Sequence, residues 1–184
     1  MDLADTPIHL PPVLTDGVVR LDGYNVADAQ AHVAGEDAEM RRRFDHPDPS
    51  IPATLEHTRG VMRRWIDARA AGGPNIVYAL RGPGGVLMGG CEIRLLTPAS
   101  ANVSYWVYPA FRGQGHAARA LTLLCEAAAA IPGLTQIEAH IDPDNLASRR
   151  VAERAGFLEA GVVEDDAWTG EVFTRVRYVR ALPI

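Results

Sequence analysis

Eight consecutive residues, Phe111-Arg112-Gly113-Gln114-Gly115-His116-Ala117-Ala118, combine residue types and a spacing suited to holding an anion. An apolar, strand-like run, Val103 to Tyr108, precedes them, and an alanine-rich segment of helical character begins near Ala117. The first backbone N–H groups of a helix have no acceptor within it, and the helix dipole adds partial positive charge there. Gly113 and Gly115 carry no Cβ, so a ligand can approach the main chain and unusual φ values are open. Arg112 adds a fixed cation. A pyrophosphate would suit this seat, although a plain turn before a helix would use the same residues. No Gly-Lys-Ser/Thr follows, so the stretch is not a P-loop. The glycine spacing and the lack of an early βαβ unit exclude a dinucleotide fingerprint.

The elements that must position this loop can be read from periodicity and punctuation. Residues 1 to 16, with Pro7, Pro11 and Pro12, read as an extended lead-in to one domain over residues 17 to 184. Val18 to Leu21 is a short strand. Asn25 or Asp28 caps a helix running to about Ala34. Glu36 to Pro52 reads as irregular and polar, with Arg41-Arg42-Arg43 as a solvated cluster at a helix end. Leu55, Val61, Met62, Trp65 and Ile66 recur at helical spacing and predict a helix over 53–71, stopped by Gly72-Gly73-Pro74. Strands are expected at Ile76–Leu80, Val86–Leu96 and Asn102–Val107, with Gly82 to Gly85 as a hairpin turn. A helix from Ala117 to Ala130 follows, then a strand from Gln136 to Ile141. A helix from Leu146 to Ala155 is capped by Asn145 and stopped by Gly156. Two strands, Phe157–Val163 and Val172–Val179, close the chain. Mixed order of this kind predicts an α+β domain, its central sheet largely antiparallel and flanked by helices.

Composition narrows the function classes. The chain has 184 residues, 47% hydrophobic and 22% charged, which suits one domain with a real core. No apolar run approaches the roughly 20 residues that span a bilayer, so no membrane partner is expected. The acidic start, Met1-Asp2-Leu3-Ala4-Asp5, lacks the plan of a signal peptide. The net charge of −5 argues against a general nucleic-acid partner. Cys91 and Cys125 lie in apolar segments and read as buried thiols, which fits a cytoplasmic location. The six histidines show no metal-ligand spacing, so no metal is assigned.

The pattern Arg112-x-x-Gly115-x-Ala117 resembles the Q/R-x-x-G-x-G/A signature of the GNAT superfamily of acyl-CoA-dependent N-acetyltransferases. The segment Asp142 to Phe157, with Asn145, Ser148, Gly156 and Phe157, resembles that superfamily's N-x-x-S segment ending in G-F. Tyr105-Trp106-Val107-Tyr108-Pro109 looks like the lead-in of its RimJ/RimL-type subgroup. The three occur in the family's order, and the resemblance covers about residues 17 to 181. It implies the GNAT fold, acetyl-CoA as cofactor and an amine as acceptor. It also implies cofactor contacts from Val107, from Arg112, Gly113, Gln114, Gly115, His116, Ala117 and Ala118 in the loop, and from Asn145 and Ser148. The side chain of His116 is given no chemistry of its own.

Acyl transfer from a thioester to an amine makes three demands. The amine must be neutral, the carbonyl oxygen needs donors, and the departing sulfur benefits from a proton. The resemblance points to main-chain groups near Val107 for the carbonyl, on a strand that splays from its neighbour. It points to Ser148 for the sulfur, with Tyr105 or Tyr108 as alternative acids. At the strand where RimJ/RimL relatives often carry a glutamate, this chain has Asn102, which is no base. Glu92, alternating with Gly90 and Arg94 on the preceding strand, can face the same cleft and serve instead. It can equally pair with a surface cation, and water can carry the proton without a dedicated base.

Three readings therefore stand. One is an N-acetyltransferase acting on a protein N-terminus, an amino acid, a polyamine or an amine-bearing drug. The second is a non-catalytic CoA-binding sensor. The third is an acyltransferase using another acyl-CoA such as succinyl-CoA, for which Arg94 would be the cation to inspect. The resemblance allows a homodimer.

Overall fold

Alternation of side chains along eight strands divides the molecule into two unequal faces. The computed structural model describes residues 7–44, 48–73, 75–166 and 172–183. In chain order the elements are β1 (Leu14–Thr15), β2 (Arg20–Asp22), α1 (Asp28–Gly35), α2 (Ala38–Arg43), α3 (Leu55–Ala71), β3 (Asn75–Arg81), β4 (Leu87–Thr97), β5 (Ser100–Val107), α4 (His116–Ala128), β6 (Gln136–Ile141), α5 (Leu146–Arg154), β7 (Leu158–Asp166) and β8 (Val172–Ala181). The strands form one sheet in the order β1-β2-β3-β4-β5-β6-β8-β7. Every neighbouring pair is antiparallel except β5 with β6. The α+β sheet expected from the sequence is therefore present.

On one face, Ile76, Tyr78 and Leu80 of β3, Cys91, Ile93 and Leu95 of β4, and Ile137, Ala139 and Ile141 of β6 form the main core. Helix α4 closes it with Ala120, Leu121, Leu124, Cys125 and Ala128, one stripe at helical spacing. On the other face a smaller cluster, including Val77, Ala79, Trp106 and Tyr108, packs with Ala29 of α1 and Met62 of α3. That cluster covers β3 to β5 only. Beyond it, the same face of β4, β5, β6 and β8 carries Glu92, Asn102, Ser104, Glu138, His140 and Arg177. The sheet is therefore roofed by helices over one half and polar over the other.

Local signals fix the helix ends. Thr54 caps α3 by accepting from the His57 amide at 3.2 Å, and Gly72 ends it at φ +64°. Asn145 caps α5 by accepting from the Ser148 amide at 3.1 Å. Gly90 is needed where it stands, because a Cβ there would collide with the Trp106 ring and the Tyr24 hydroxyl.

Three features differ from the sequence reading. Within the lead-in, Leu14 and Thr15 pair with β2, and Ile8 is fully buried. The stretch after Glu36, expected to be irregular, contains α2, capped by Asp37 accepting from the Met40 amide at 2.8 Å. Six residues are too few to show a period, so only the cap and tertiary contacts declare this helix. The arginine cluster is not a solvated end. Arg41 is 7% exposed and bonded to Glu36 and the Pro49 carbonyl, and only Arg42 points substantially to solvent. Cys91 and Cys125 are buried free thiols, and burial pushes Cys125 up to about 12 and Cys91 higher still. Among the described residues no helix is long and apolar enough to cross a membrane.

Candidate active site

Strands β5 and β6 are hydrogen-bonded neighbours only from Ser100↔Gln136 to Asn102↔Glu138. Beyond that point β5 continues to Val107 and β6 to Ile141 without pairing, so the two diverge. The Tyr108 amide donates to the Met88 carbonyl on β4 at 2.8 Å. By alternation, the main-chain groups of Tyr105 and Val107 face the other way, into the gap. The Val107 carbonyl is engaged there, accepting from Arg112 Nε at 2.9 Å.

The loop after β5 delivers the start of α4 to this gap. A short 3-10 turn, Pro109–Phe111, leads into it. Gly113 and Gly115 stand at φ +76° and +81°, and nothing lies within 4 Å of where their Cβ atoms would be. Both positions therefore need a residue tolerant of left-handed backbone, and both open onto space. Gly115 is the N-cap and offers no side-chain cap, and the first inward bond of the following turn is Arg119 N–H to the Gly115 carbonyl at 3.2 Å. The amides of His116, Ala117 and Ala118 are thus left without helical acceptors. Gly113, Gly115, His116, Ala117 and Ala118 all line a cleft of about 500 Å³ running between α4 and α5. The Gln114 side chain instead bonds the Ala110 carbonyl at 3.3 Å. Arg112 is not a loose cation: its guanidinium forks onto Asp37 at 2.7 and 2.9 Å, tying the loop to α2. That fork holds the Asp37 carboxyl below its usual range.

The opposite wall of the cleft supplies charge that sequence reasoning missed. Arg150 and Arg154 lie one turn apart on α5 and line it beside Ala147 and Val151. Neither has an ion-pair partner among the described residues. Their i, i+4 spacing on the helix capped by Asn145 was the available signal.

At the inner end of the cleft the sequence candidates converge. Tyr105 Oη stands 2.5 Å from Ser148 Oγ and 3.0 Å from the Ser148 carbonyl. Burial pushes the Tyr105 phenol up to about 12, so it stays protonated and able to donate at neutral pH. Tyr105, Asn145 and Ser148 also line a second, polar cleft of about 220 Å³ that contains Glu92, Arg94, Asn102 and Ser104. Glu92 sits opposite Ser104 and diagonal to Asn102, with Ser104 Oγ donating at 3.4 Å. Burial raises its pKa, which the nearby Arg94 charge only partly offsets. No ion pair within 4.0 Å joins Glu92 to Arg94 among the described residues, although the Arg94 charge acts on it. Tyr108 is elsewhere: it is buried against His32, with Oη 2.8 Å from His32 Nδ1.

A charged strap crosses where the clefts meet. Arg43 of α2 binds Asp142 at 3.0 Å, Asp144 at 2.5 Å and Glu39 at 2.7 Å. Arg43 and the adjacent Phe44 line both clefts. From Asp142 the chain of contacts continues through Arg175 and Asp165 to His140, Glu138 and Arg177. His140 is thereby held by Glu138 and Asp165, not by its sequence neighbours Asp142 and Asp144. Among the described residues no three His, Cys, Asp or Glu side chains are grouped to hold a metal.

Residues 19–158 match the family model described as an acetyltransferase (GNAT) domain. A comparison of the sequence with curated proteins finds no match. Solved structures share the fold. The ribosomal L7/L12 alpha-N-protein acetyltransferase RimL, in complex with coenzyme A, superposes with a TM-score of 0.75 at 19% identity, over 92% of this chain and 98% of its own. Mycobacterium smegmatis RimJ, with CoA-disulfide, gives 0.74 at 22% identity over 94% and 86%. The microcin C7 self-immunity acetyltransferase MccE, with acetyl-CoA and AMP, gives 0.74 at 15% identity over 98% and 100%.

Proposed function

The chain belongs to the acetyltransferase (GNAT) family, and on that premise we propose that it acetylates a primary amine, as a RimJ/RimL-type N-acetyltransferase using acetyl-CoA. The observation that carries this reading is the meeting of two clefts at Tyr105 and Ser148. One has an uncapped helix N-terminus along it, and the other holds the half-buried carboxylate of Glu92. Bound acetyl-CoA would supply the activated acetyl thioester. The residues present fit that molecule: the open cradle at Gly113 and Gly115 and the amides of His116, Ala117 and Ala118 suit its diphosphate. Arg150 and Arg154 suit its further phosphate. Arg112 supports the loop through Asp37 and Val107 and is not a direct phosphate ligand in this reading.

Each chemical demand then has an owner. Glu92, with its raised pKa, accepts the proton of the incoming ammonium from within the polar cleft, directly or through water. The main-chain N–H groups of Tyr105 and Val107, turned into the gap between β5 and β6, are donors for the carbonyl oxygen. Ser148, held by Asn145 and backed by the Tyr105 hydroxyl, donates toward the sulfur as its bond to the acetyl carbon breaks. Cys91 and Cys125 are too buried and too weakly acidic to carry the acetyl group, which favours direct transfer between the two bound molecules.

Purified protein mixed with acetyl-CoA and a panel of primary amines, followed by thiol release, tests the reading. Amine-dependent release is expected. Tight CoA binding without release on any amine would leave a sensor domain instead.

A further inference from the structure

A second opening leaves the junction and differs in character from the polar cleft. It measures about 380 Å³ and lies between α1, α2, α3 and β5 on the helical half of the sheet. Met40, Val61, Trp65, Trp106, Phe44 and His32 are among its walls. The Trp65 and Trp106 rings stand 5.8 Å apart at a tilt, and Phe44 meets Trp106 edge-on at 5.5 Å. His32 meets Trp106 edge-on at 6.4 Å. Rings set at such angles offer both faces and edges to a guest between them.

Its charges are already matched. Glu36 and Arg41 bind one another at 3.3 Å with both side chains nearly buried, and Arg41 also donates to the Pro49 carbonyl. Burial lowers the His32 pKa, so its ring is neutral at physiological pH, and Nδ1 is occupied by Tyr108. With Glu36 and Arg41 offsetting one another, no unpaired carboxylate or guanidinium lines the opening among the described residues to select a charged guest, and the remaining ionisable side chain, His57, is solvent-exposed. What remains is apolar surface of a size that suits a ligand group. Met40, Phe44 and Trp106 also line the large cleft, so an amine held at the junction has its substituent at the mouth of this opening.

We infer that the aromatic opening between α1, α3 and β5 receives a bulky apolar group, aryl or branched alkyl, carried by the acceptor amine. This rests on the reading of the chain as an amine acetyltransferase and names the class of amine.

Calorimetric titration of the CoA-loaded protein with phenethylamine, ethylamine and spermidine, beside thiol-release assays on the same amines, tests it. Phenethylamine is expected to bind at least tenfold more tightly than ethylamine. Equal affinities, or a preference for spermidine, would overturn the inference. Absence of turnover on all three, with phenethylamine still preferred in binding, would overturn the proposed activity and leave the binding inference standing. Val61→Trp, which fills the opening from α3, should collapse the phenethylamine-to-ethylamine ratio toward one. Val61→Met, a smaller intrusion, should lower it part of the way, and CoA affinity reports whether each variant is folded. An unchanged ratio in a variant that still binds CoA would place the aryl group elsewhere.

Discussion

Tyr105 Oη and Ser148 Oγ lie 2.5 Å apart although 43 residues separate them in the chain. One comes from the strand that leaves its neighbour, the other from the first turn of α5. Their contact closes the inner end of the large cleft and forms a wall of the polar one. A hydroxyl pair in this position can pass a proton toward a leaving group without carrying charge itself.

Ser148→Ala and Tyr105→Phe should each lower kcat by about 10- to 100-fold while changing CoA affinity by less than about threefold, the range expected when a positioned proton donor is lost. Because the two act through one contact, the double variant should be little worse than the poorer single one. Steady-state rates with calorimetric CoA affinities check this. Wild-type turnover in Ser148→Ala would remove the pair from the reaction.

Gly115→Asp should weaken CoA binding by about 100-fold or more. The left-handed backbone at φ +81° penalises any side chain there, and the carboxylate would stand where the phosphates belong. Gly115→Asn tolerates that backbone better and adds no charge. It should bind CoA more tightly than the Asp variant, so the difference between the two reports the electrostatic part.

Glu92 must be ionised to act as base, and burial raises its pKa. Turnover should therefore rise with pH through a midpoint above the ordinary carboxylate value of 4.5. Glu92→Gln should lose that limb and lower kcat/KM by about 100-fold, leaving only the limb that belongs to the amine. A pH–rate profile unchanged in Glu92→Gln would return the proton to water.

Glu138 gives a stability test separate from catalysis. Its carboxylate accepts from Arg177 at 2.6 and 2.7 Å and from His140 at 3.1 Å. The Arg177 bonds outweigh burial and bring its pKa from 4.5 to about 2. A carboxyl lowered on folding stabilises the fold above its unfolded pKa. That contribution, at most about 3 kcal/mol for a shift of this size and less once solvent screening is counted, is lost as pH falls from about 4.5 toward 2. Urea unfolding midpoints followed across that window should fall in the wild type and fall by less in Glu138→Gln, the remaining fall belonging to other lowered carboxyls such as Asp16, Asp28 and Asp37.

The sequence made the loop after β5 and the start of α5 legible because their signals are local. Gly113 and Gly115 announce backbone freedom, Asn145 announces a helix start, and Ser148 follows at a fixed offset. The sheet was legible too, since Ile76–Leu80, Val86–Leu96 and Asn102–Val107 are apolar runs bounded by turn residues such as Gly82 to Gly85. The α2 side of the junction was not. Arg43 reads as one of three surface arginines until Asp142, about a hundred residues away, is placed against it. Helix α2 is too short to show a period, and Phe44 gains meaning only where three cavities meet. The commitment of Arg112 to Asp37 likewise depends on a loop contact that no spacing encodes. Glu92 could be placed on one strand face with Gly90 and Arg94, but its position opposite Ser104 and diagonal to Asn102 required the register of β4 against β5.

The most direct measurement is a crystal structure of the protein with coenzyme A. The account predicts diphosphate oxygens within about 3 Å of the amides at the start of α4, Arg150 and Arg154 on the ribose side, and the sulfur beside Ser148 Oγ. A cofactor bound elsewhere, with the turn between Tyr108 and His116 making no contact to it, would contradict the account.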